Sequence, residues 1–199
     1  MMTPERLREI YGAVHERAAA KVIAEFDTHC RSFIAQSSFL VMATSDGQTL
    51  DISPKGDPAG FVTVESDTTL LLPDRPGNNR IDSLMNILAH PKVALLFLIP
   101  TVDETLRVNG TAEISEDPAL CDQFQVNGRS PKTVVRITAD EIYTHCGKAP
   151  LRAGLWKPDT WPSDRPVPTL LEMLRDHTQM PQKNTDQSAV DALYRDTLY

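Results

Sequence analysis

The chain has 199 residues, of which 41% are hydrophobic, enough for one complete hydrophobic core with terminal extensions. Its formal net charge of −7 disfavours binding to nucleic acid and to anionic lipid, and no run of Lys and Arg opposes that charge. No apolar stretch approaches the ~20 residues needed to span a bilayer, so we expect no membrane association.

The N-terminal sequence and the cysteines bear on the cellular compartment. The first residues, MMTPERLREIYG, contain no apolar core of the kind that a secretory signal requires. The three cysteines, Cys30, Cys121 and Cys146, are widely spaced and form no CxxC pair, which fits buried thiols better than a disulfide framework. The sequence therefore predicts a cytoplasmic protein.

Residues 1–36 predict two helices that pack on a central domain. Thr3 is a suitable N-cap for the first helix, and Pro4 suits its first helical position. Asp27 is a suitable N-cap for a shorter helix that runs through Ile34. The expected apolar face of the first helix consists of Leu7, Ile10, Val14, Ala18 and Val22.

Residues 37–157 predict a mainly β domain. Short apolar or alternating runs separated by turns favour an antiparallel barrel, with Asp46-Gly47 as the first hairpin turn. The run Lys92–Ile99 is apolar on both strand faces, which a small barrel cannot cover alone, and it therefore predicts a homodimer. The predicted strands are Phe39–Thr44, Leu50–Ser53, Phe61–Glu65, Thr69–Leu72, Lys92–Ile99, Leu106–Ile114 and Thr133–Tyr143.

One helix is expected to interrupt these strands. Asn78 or Asn79 is its expected N-cap, and His90-Pro91 is expected to end it. Its expected apolar face consists of Ile81, Leu84, Met85 and Leu88.

The remaining elements lie towards the C-terminal end. A short helix is expected near Asp117–Phe124. Residues 158–199 are interpreted as a proline-rich arm, already extended from Leu155, followed by a helical tail that includes a short helix at Thr169–Thr178.

Two turns between residues 51 and 80 carry groups suited to a phosphate. Ser53 and Lys55 lie in the first turn, and Asn78, Asn79 and Arg80 lie in the second, at the expected start of the helix. A phosphate needs compact positive charge, hydroxyl or amide donors and the free N–H groups of a helix N-terminus. On spacing alone, two ordinary solvated turns remain the alternative.

Other segments give weaker signals. Thr105, Arg107 and Asn109 share one strand face, which either meets solvent or lines a site. His145 and Cys146 are neighbours in a strand, so their side chains point to opposite faces and do not form a nucleophile pair. No nucleotide-loop, serine-hydrolase or zinc-protease motif is present, which indicates that a cofactor carries any chemistry.

Two tryptophans, Trp156 and Trp161, lie around the start of the proline-rich arm. A Trp on such an arm anchors it to the body or to a partner subunit, or else covers a flat ligand.

A set of motifs resembles the pyridoxamine 5'-phosphate oxidase-related FMN-binding flavoproteins. The resemblance spans Phe39–Trp156 and is strongest to a bacterial subgroup with SPKGDP, PDRPGNNR and HCxKA signatures. The segments that carry it are ATSDG, DISPKGDPAGFV, LLLPDRPGNNRIDSLMNILAHPKVALLFLIP, ETLRVNGTAEIS and HCGKAPLRAGLW.

This resemblance implies an α+β, mainly β fold with a six-stranded antiparallel split barrel and flanking helices. It also implies a homodimer that holds two FMN molecules in clefts between the subunits. The phosphate site it implies comprises Ser53, Lys55, Gly56, Asn78, Asn79 and Arg80. The implied contacts to the rest of the flavin are the backbone of Leu72, Pro73 and Asp74, and Thr105 and Arg107 at the polar edge of the ring. On the substrate side we expect His145, Lys148 and Trp156.

The expected activity is FMN-dependent hydride transfer, through flavin N5, to or from a small organic substrate. The alternatives are a flavin store or redox sensor without turnover, or the same fold with haem or a deazaflavin as its ligand. For haem, His145 is the one candidate axial ligand. The chain lacks the Arg-x-His element with which pyridoxamine 5'-phosphate oxidases bind their substrate; its last residues are ALYRDTLY. We therefore do not expect efficient oxidation of pyridoxamine or pyridoxine phosphate.

Overall fold

A computed structural model of the chain describes residues 1–178, 180 and 186–199. Short α-helices flank a single antiparallel sheet. The helices are α1 (Pro4–Tyr11), α2 (Glu16–Ala20), α3 (Thr28–Gln36), α4 (Asp82–Ala89), α5 (Pro118–Cys121), α6 (Lys148–Ala153), α7 (Leu170–Thr178) and α8 (Gln187–Asp196). The strands are β1 (Phe39–Ser45), β2 (Leu50–Gly56), β3 (Thr63–Val64), β4 (Thr69–Pro73), β5 (Lys92–Leu98), β6 (Thr105–Ser115) and β7 (Val134–His145).

The strands are arranged in the order β2-β1-β5-β6-β7-β4-β3, and all their pairings are antiparallel. This confirms the α+β split-barrel fold class. The resemblance implied six strands, whereas the sheet has seven, as the residue pattern predicted. The shortest is β3, where the predicted strand Phe61–Glu65 is reduced to two residues that pair with β4. Long strands were located within a few residues of their true bounds because their apolar alternation is strong.

One face of the sheet encloses the hydrophobic core. Leu40 and Met42 on β1, Leu95 and Phe97 on β5, and Val108 on β6 are almost fully buried there. Their neighbours in sequence on β1 and β5, such as Val41 and Leu96, point to the opposite face and are half-buried. We call these the inner and outer faces of the sheet.

The N-terminal helices differ from expectation. The expected single helix is divided into α1 and α2, because Gly12 adopts φ 69° and ends α1. Thr3 does cap α1, but the expected apolar face is exposed, and neither helix contains a buried residue. Asp27 caps α3 as expected, accepting a hydrogen bond from the Cys30 N–H at 2.8 Å.

Helix α4 also departs from its predicted form. It begins at Asp82, so neither Asn78 nor Asn79 caps it; the N-cap position is Ile81, with φ 53° and no capping side chain. The buried residues of α4 are Ser83 and Ile87, which face the inner side of the sheet. The expected apolar face is wrong for three of its four members, since Ile81, Met85 and Leu88 are exposed in the single chain.

The C-terminal expectations are largely met. Helix α7 begins one residue later than expected, and α8 forms in the helical tail. The arm is not fully extended, because a turn of 3₁₀ helix covers Pro158–Thr160 within it. Helix α6, which was not predicted, lies just before the arm. A second 3₁₀ turn, Asp122–Phe124, completes the helix expected near residue 117. Within the described ranges no helix combines the length and the apolar character needed to cross a membrane.

Two of the three cysteines behave as predicted. Cys30 and Cys121 are buried free thiols, and burial raises the pKa of Cys30 to about 12. Cys146 is exposed, so its interpretation as a buried thiol is wrong. It follows His145 at the end of β7, where the chain leaves the sheet.

Candidate functional site

A cavity of about 1080 Å³ opens beside the start of α4. Three separate segments line it: residues 51–56 of β2, residues 73–84 around the β4–α4 turn, and residues 129–132 before β7. Phe61 and Tyr199 complete its wall. The two turns that the sequence marked for anion binding therefore meet in one cavity.

Strand β2 contributes through the face that it turns inwards. Ser53 pairs with Met42 and Lys55 with Leu40, and cross-strand partners project to the same side of a sheet. Because Met42 and Leu40 belong to the core, Ser53 and Lys55 lie on the inner face, at the exposed edge of the core. The Lys55 ammonium contacts the Asp74 carboxylate at 3.4 Å, and both side chains remain partly accessible.

The turn before α4 has an unusual backbone for its sequence. Asn79 and Ile81 both adopt left-handed conformations, with φ of 58° and 53°. Asn78 Oδ1 accepts a hydrogen bond from the Arg80 N–H at 3.0 Å, which fixes the turn. Since no side chain caps α4, the N–H groups of its first turn are left for solvent or for an anion.

Positive charge predominates along the cavity. Its lining contains three acidic residues, Asp51, Asp74 and Asp82, against five basic ones, although the whole chain is acidic. The Arg80 guanidinium is exposed and pairs with Asp82 at 2.7 Å, and this contact raises the pKa of Arg80 further. The five basic residues are Lys55, Arg75, Arg80, Arg129 and Lys132.

Several of these wall residues were not assigned a site role from the sequence. Arg129 and Lys132 enter from the connection before β7, and Lys132 has no hydrogen bond or ion pair to another residue in the described part of the chain. Arg75 is held by Asp57 at 2.6 Å. Tyr199 comes from the far end of the chain, so that no local pattern could have placed it here.

The predicted flavin-ring residues lie elsewhere in the single chain. Thr105 and Arg107 do not line the cavity; Arg107 pairs across strands with Leu96 and Tyr143, on the outer face of the sheet. There its guanidinium donates to the Tyr143 hydroxyl at 3.1 Å and lies 5.5 Å from the ring centroid. The inner cavity and the Arg107 group are thus on opposite sides of one sheet.

The predicted substrate-side residues also lie apart from the cavity. His145 is on the outer face, 5.1 Å from Tyr143 between ring centroids, and its buried Nε2 has no hydrogen-bond partner among the residues that the structure describes. Burial, together with the charges of Arg107 and Lys21, lowers the pKa of His145. Among the described residues no group of three or more His, Cys, Asp or Glu side chains could hold a metal ion.

Lys148 and Trp156 belong to the segment after β7. Lys148 begins α6, and Trp156 Nε1 donates to the Val102 carbonyl at 2.9 Å. Trp156 therefore anchors the arm to the body, one of the two roles expected for it. Leu72 is a core residue, so its side chain is not available to a ligand, and the backbone contact that the resemblance implies stays a prediction.

Fold and cavity together define a small split-barrel protein in which a cavity lined by basic side chains suits an anionic ligand. The family model described as pyridoxamine 5'-phosphate oxidase matches residues 26–146. The chain belongs to this family, which includes flavin-dependent oxidoreductases.

Solved structures that are similar to this chain have low sequence identity. HupZ of Group A Streptococcus is 23% identical, with a TM-score of 0.48, covering 59% of this chain and 92% of that one. General Stress Protein 26 of Bacillus anthracis is 22% identical, with a TM-score of 0.45 over 57% and 89% of the two chains. An F420 reductase is 17% identical, with a TM-score of 0.43 over 56% and 94%. No curated protein sequence matches the chain.

Proposed function

We propose that this protein binds FMN and acts as an FMN-dependent oxidoreductase on a small organic substrate. The observation that carries the proposal is the meeting of an uncapped helix N-terminus with Ser53 and Lys55 in one cation-lined cavity. Membership of a family that includes flavoenzymes supports the choice of FMN over other anions.

The residues present fit a flavin phosphate. A phosphate dianion would receive the Lys55 ammonium, the Ser53 hydroxyl and the first-turn N–H groups of α4, a donor set that matches its charge and size. Asn78, Asn79 and Arg80 would complete the site, with Gly56 and the backbone of residues 72–74 beside it. FMN, when bound, supplies hydride exchange at the flavin ring.

The charges at the site explain how a phosphate would be accepted. Lys55 and Arg80 already have carboxylate partners, Asp74 and Asp82, and these contacts are partly or largely exposed. Such ion pairs are worth little individually, so exchanging them for contacts with a dianion costs little. The chain's role would be to bind and orient the cofactor and to exclude water from it.

We further propose a homodimer formed through the outer face. Val41 pairs with Leu96 there, and both are half-buried in the single chain. Leu50 and Ile52 extend this apolar surface onto β2 and are 88% and 69% exposed. An apolar patch of this kind marks an interaction surface, and self-association would place the Arg107 group against the partner subunit.

A flavin-binding module without turnover is the second candidate. The described lining contains no His, Cys or Glu, and its three Asp side chains are already paired, Asp51 with Ser83, Asp74 with Lys55 and Asp82 with Arg80, so no carboxylate there stands free as a general acid or base. A redox sensor or flavin store needs none.

Efficient oxidation of pyridoxamine phosphate is not expected. A second phosphate needs dedicated donors. Of the cations other than Lys55 and Arg80, Arg129 is engaged by Tyr199 and Arg152 donates to the Lys148 carbonyl at 3.2 Å. Lys132 lines the cavity without a partner in the described part of the chain, but a single cation does not match the charge of a phosphate dianion. The test is an aerobic assay of FMN-loaded protein with pyridoxamine and pyridoxine phosphates. Turnover near the ~1 s⁻¹ lower end of ordinary enzyme rates would contradict this proposal.

The cofactor proposal is tested by spectroscopy and by titration. Purified protein should show flavin absorbance, and Lys55→Ala/Arg80→Ala should weaken FMN binding at least about a hundredfold, since each charge-assisted contact is worth ~1.5–3 kcal/mol. Riboflavin affinity should change little. The control, Arg6→Ala/Lys92→Ala, removes two exposed cations outside the cavity. Equal losses of affinity for FMN and for riboflavin would refute the assignment of these residues to the phosphate. In a separate experiment, reduction of the bound flavin by NADH or NADPH distinguishes an enzyme from a flavin store.

A further inference from the structure

Residues 186–199 return to the cavity wall from the C-terminal end. Helix α8 buries Val190, and the chain then places Tyr199 among residues that are distant in sequence. The Tyr199 hydroxyl donates to Asp57 Oδ1, a contact between residues 142 positions apart. Arg129 donates to the main-chain oxygen of Tyr199. One residue thus joins the loop after β2 to the connection before β7.

Tyr199 completes the surroundings of a buried ion pair. The second oxygen of Asp57 accepts from Arg75 Nε at 2.6 Å, and the two side chains are 2% and 17% exposed. A buried carboxylate needs partners for both oxygens, and without the Tyr199 hydroxyl one oxygen of Asp57 would lose a donor.

Arg75 links the Tyr199–Asp57 contact to the proposed phosphate site. Its guanidinium also donates to the Phe124 carbonyl at 2.8 Å and lies 5.6 Å from the centroid of the Tyr199 ring. Three contacts therefore fix the first basic residue of the turn 75–80. That turn leads directly into the uncapped N-terminus of α4.

We propose that Tyr199 is a positioning residue for the turn 75–80 and, through this role, determines the preference of the cavity for a phosphorylated flavin. This inference rests on the proposed FMN site. Tyr199 acts through Asp57 and Arg75. Its hydroxyl binds Asp57, Asp57 holds the Arg75 side chain in place, and the turn 75–80 then presents its donors to the phosphate. The ring moiety of the flavin is not involved, so riboflavin and FMN should respond differently.

The experiment compares Tyr199→Ala and Tyr199→Phe with Tyr194→Ala as the control. Tyr194 lies on α8, is 49% exposed and does not line the cavity. Tyr199→Ala should raise the FMN dissociation constant about tenfold, because it removes a hydrogen bond to a buried charge, and should change riboflavin binding less than about twofold. Tyr199→Phe keeps the ring over Arg75 and should lie between wild type and Tyr199→Ala. If Tyr199→Ala does not fold, Tyr199→Phe alone tests the proposal.

A second readout does not depend on flavin. The pKa of Tyr199 is raised, mainly by the hydrogen bond to Asp57 and to a smaller extent by burial. Absorbance titration of the tyrosines should therefore show one phenol ionising late, and this phenol should be absent in Tyr199→Phe and shifted down in Asp57→Asn.

The outcomes separate the two proposals. Equal weakening of FMN and riboflavin, or unchanged FMN binding, in protein that binds FMN overturns the role of Tyr199 and leaves the FMN proposal standing. Failure of the wild type to bind any flavin overturns the FMN proposal instead. In that case inorganic phosphate is the probe, and thermal stabilisation by phosphate should be smaller in Tyr199→Phe than in wild type or in Tyr194→Ala. Equal stabilisation would overturn the inference.

Discussion

Replacing Gly110 by alanine should strongly destabilise the protein, because β6 and β7 leave no room for a side chain there. A Cβ atom at this position would lie 2.3 Å from the Thr138 carbonyl oxygen, 3.0 Å from its carbonyl carbon and 3.2 Å from Ala139 Cα. All three are backbone atoms, so no side-chain rotation relieves the clash. The two strands must separate, or the pairing must shift.

The magnitude follows from what that separation disrupts. Gly110 pairs with Ala139 next to a bulge in the β6–β7 ladder, and the Ala139 N–H donates to the Thr68 carbonyl at 2.8 Å. Overpacking costs ~1–3 kcal/mol, and two weakened backbone hydrogen bonds add ~1 kcal/mol each, so we expect a loss of ~3–5 kcal/mol. For a chain of this length that corresponds to a decrease in melting temperature of roughly 6–20 °C.

The assay is chemical or thermal unfolding followed by circular dichroism, with Gly77→Ala as the matched control. A Cβ at Gly77 meets no atom within 4 Å, and Gly77 does not adopt a positive φ, so its replacement should change the free energy of unfolding by less than ~0.5 kcal/mol. If Gly110→Ala unfolds like Gly77→Ala, the close packing of β6 on β7 is refuted.

Three further outcomes follow from named contacts. Arg75→Ala should lower the free energy of unfolding by ~3–5 kcal/mol, because it leaves Asp57 buried without its cation. Arg6→Ala, which removes one partner of an exposed ion pair, should lower it by less than ~1 kcal/mol. Similar losses for the two variants in denaturant titrations would contradict the role of the buried pair. The lowered pKa of His145 means that the folded state favours the neutral imidazole. The stability gained in this way is fully present above the ordinary pKa near ~6.5 and is lost as the pH falls from there towards the folded pKa. Between pH 7.5 and 5.5 the wild type should therefore lose more thermal stability than His145→Gln, and parallel stability profiles of the two proteins would contradict this prediction. Leu96→Arg should shift the protein from dimer to monomer in sedimentation at micromolar concentration, while Leu88→Arg, an exposed position on α4, should not; a dimer in both variants would exclude the outer face as the interface.

The strands were predictable because their apolar pattern is set by burial on one face. Leu106 and Val108 alternate with Arg107 along β6. Such alternation follows from the geometry of a strand and does not depend on how the rest of the chain is arranged. The start of α4 was not predictable in the same way. Asn78 uses its side chain to bond the Arg80 N–H, and therefore forms a turn where the sequence also allowed a helix cap.

The candidate site was predictable only where its groups are local. The two turns at Lys55 and Arg80 carry their own chemical signature, and they do meet in one cavity. Arg129 and Tyr199 carry none, because their participation depends on contacts across the fold rather than on neighbouring residues. Tyr199 in particular lies in a tail whose composition predicted only a helix.

The separation of Lys55 from Arg107 has a geometric origin that bears on how both would meet a flavin. Periodicity fixes which residues of one strand share a face, but the phase between two strands depends on their register. Here Lys55 pairs with Leu40 on the inner face, whereas Arg107 pairs with Leu96 on the outer face. A ring contact by Arg107 is therefore most readily made with a flavin bound by the partner subunit, so the proposed dimer and the proposed ring contact depend on each other. In a monomeric Leu96→Arg protein, Arg107→Ala should no longer affect flavin binding, whereas in the wild-type background it should; an equal effect in both backgrounds would show that Arg107 acts within its own chain.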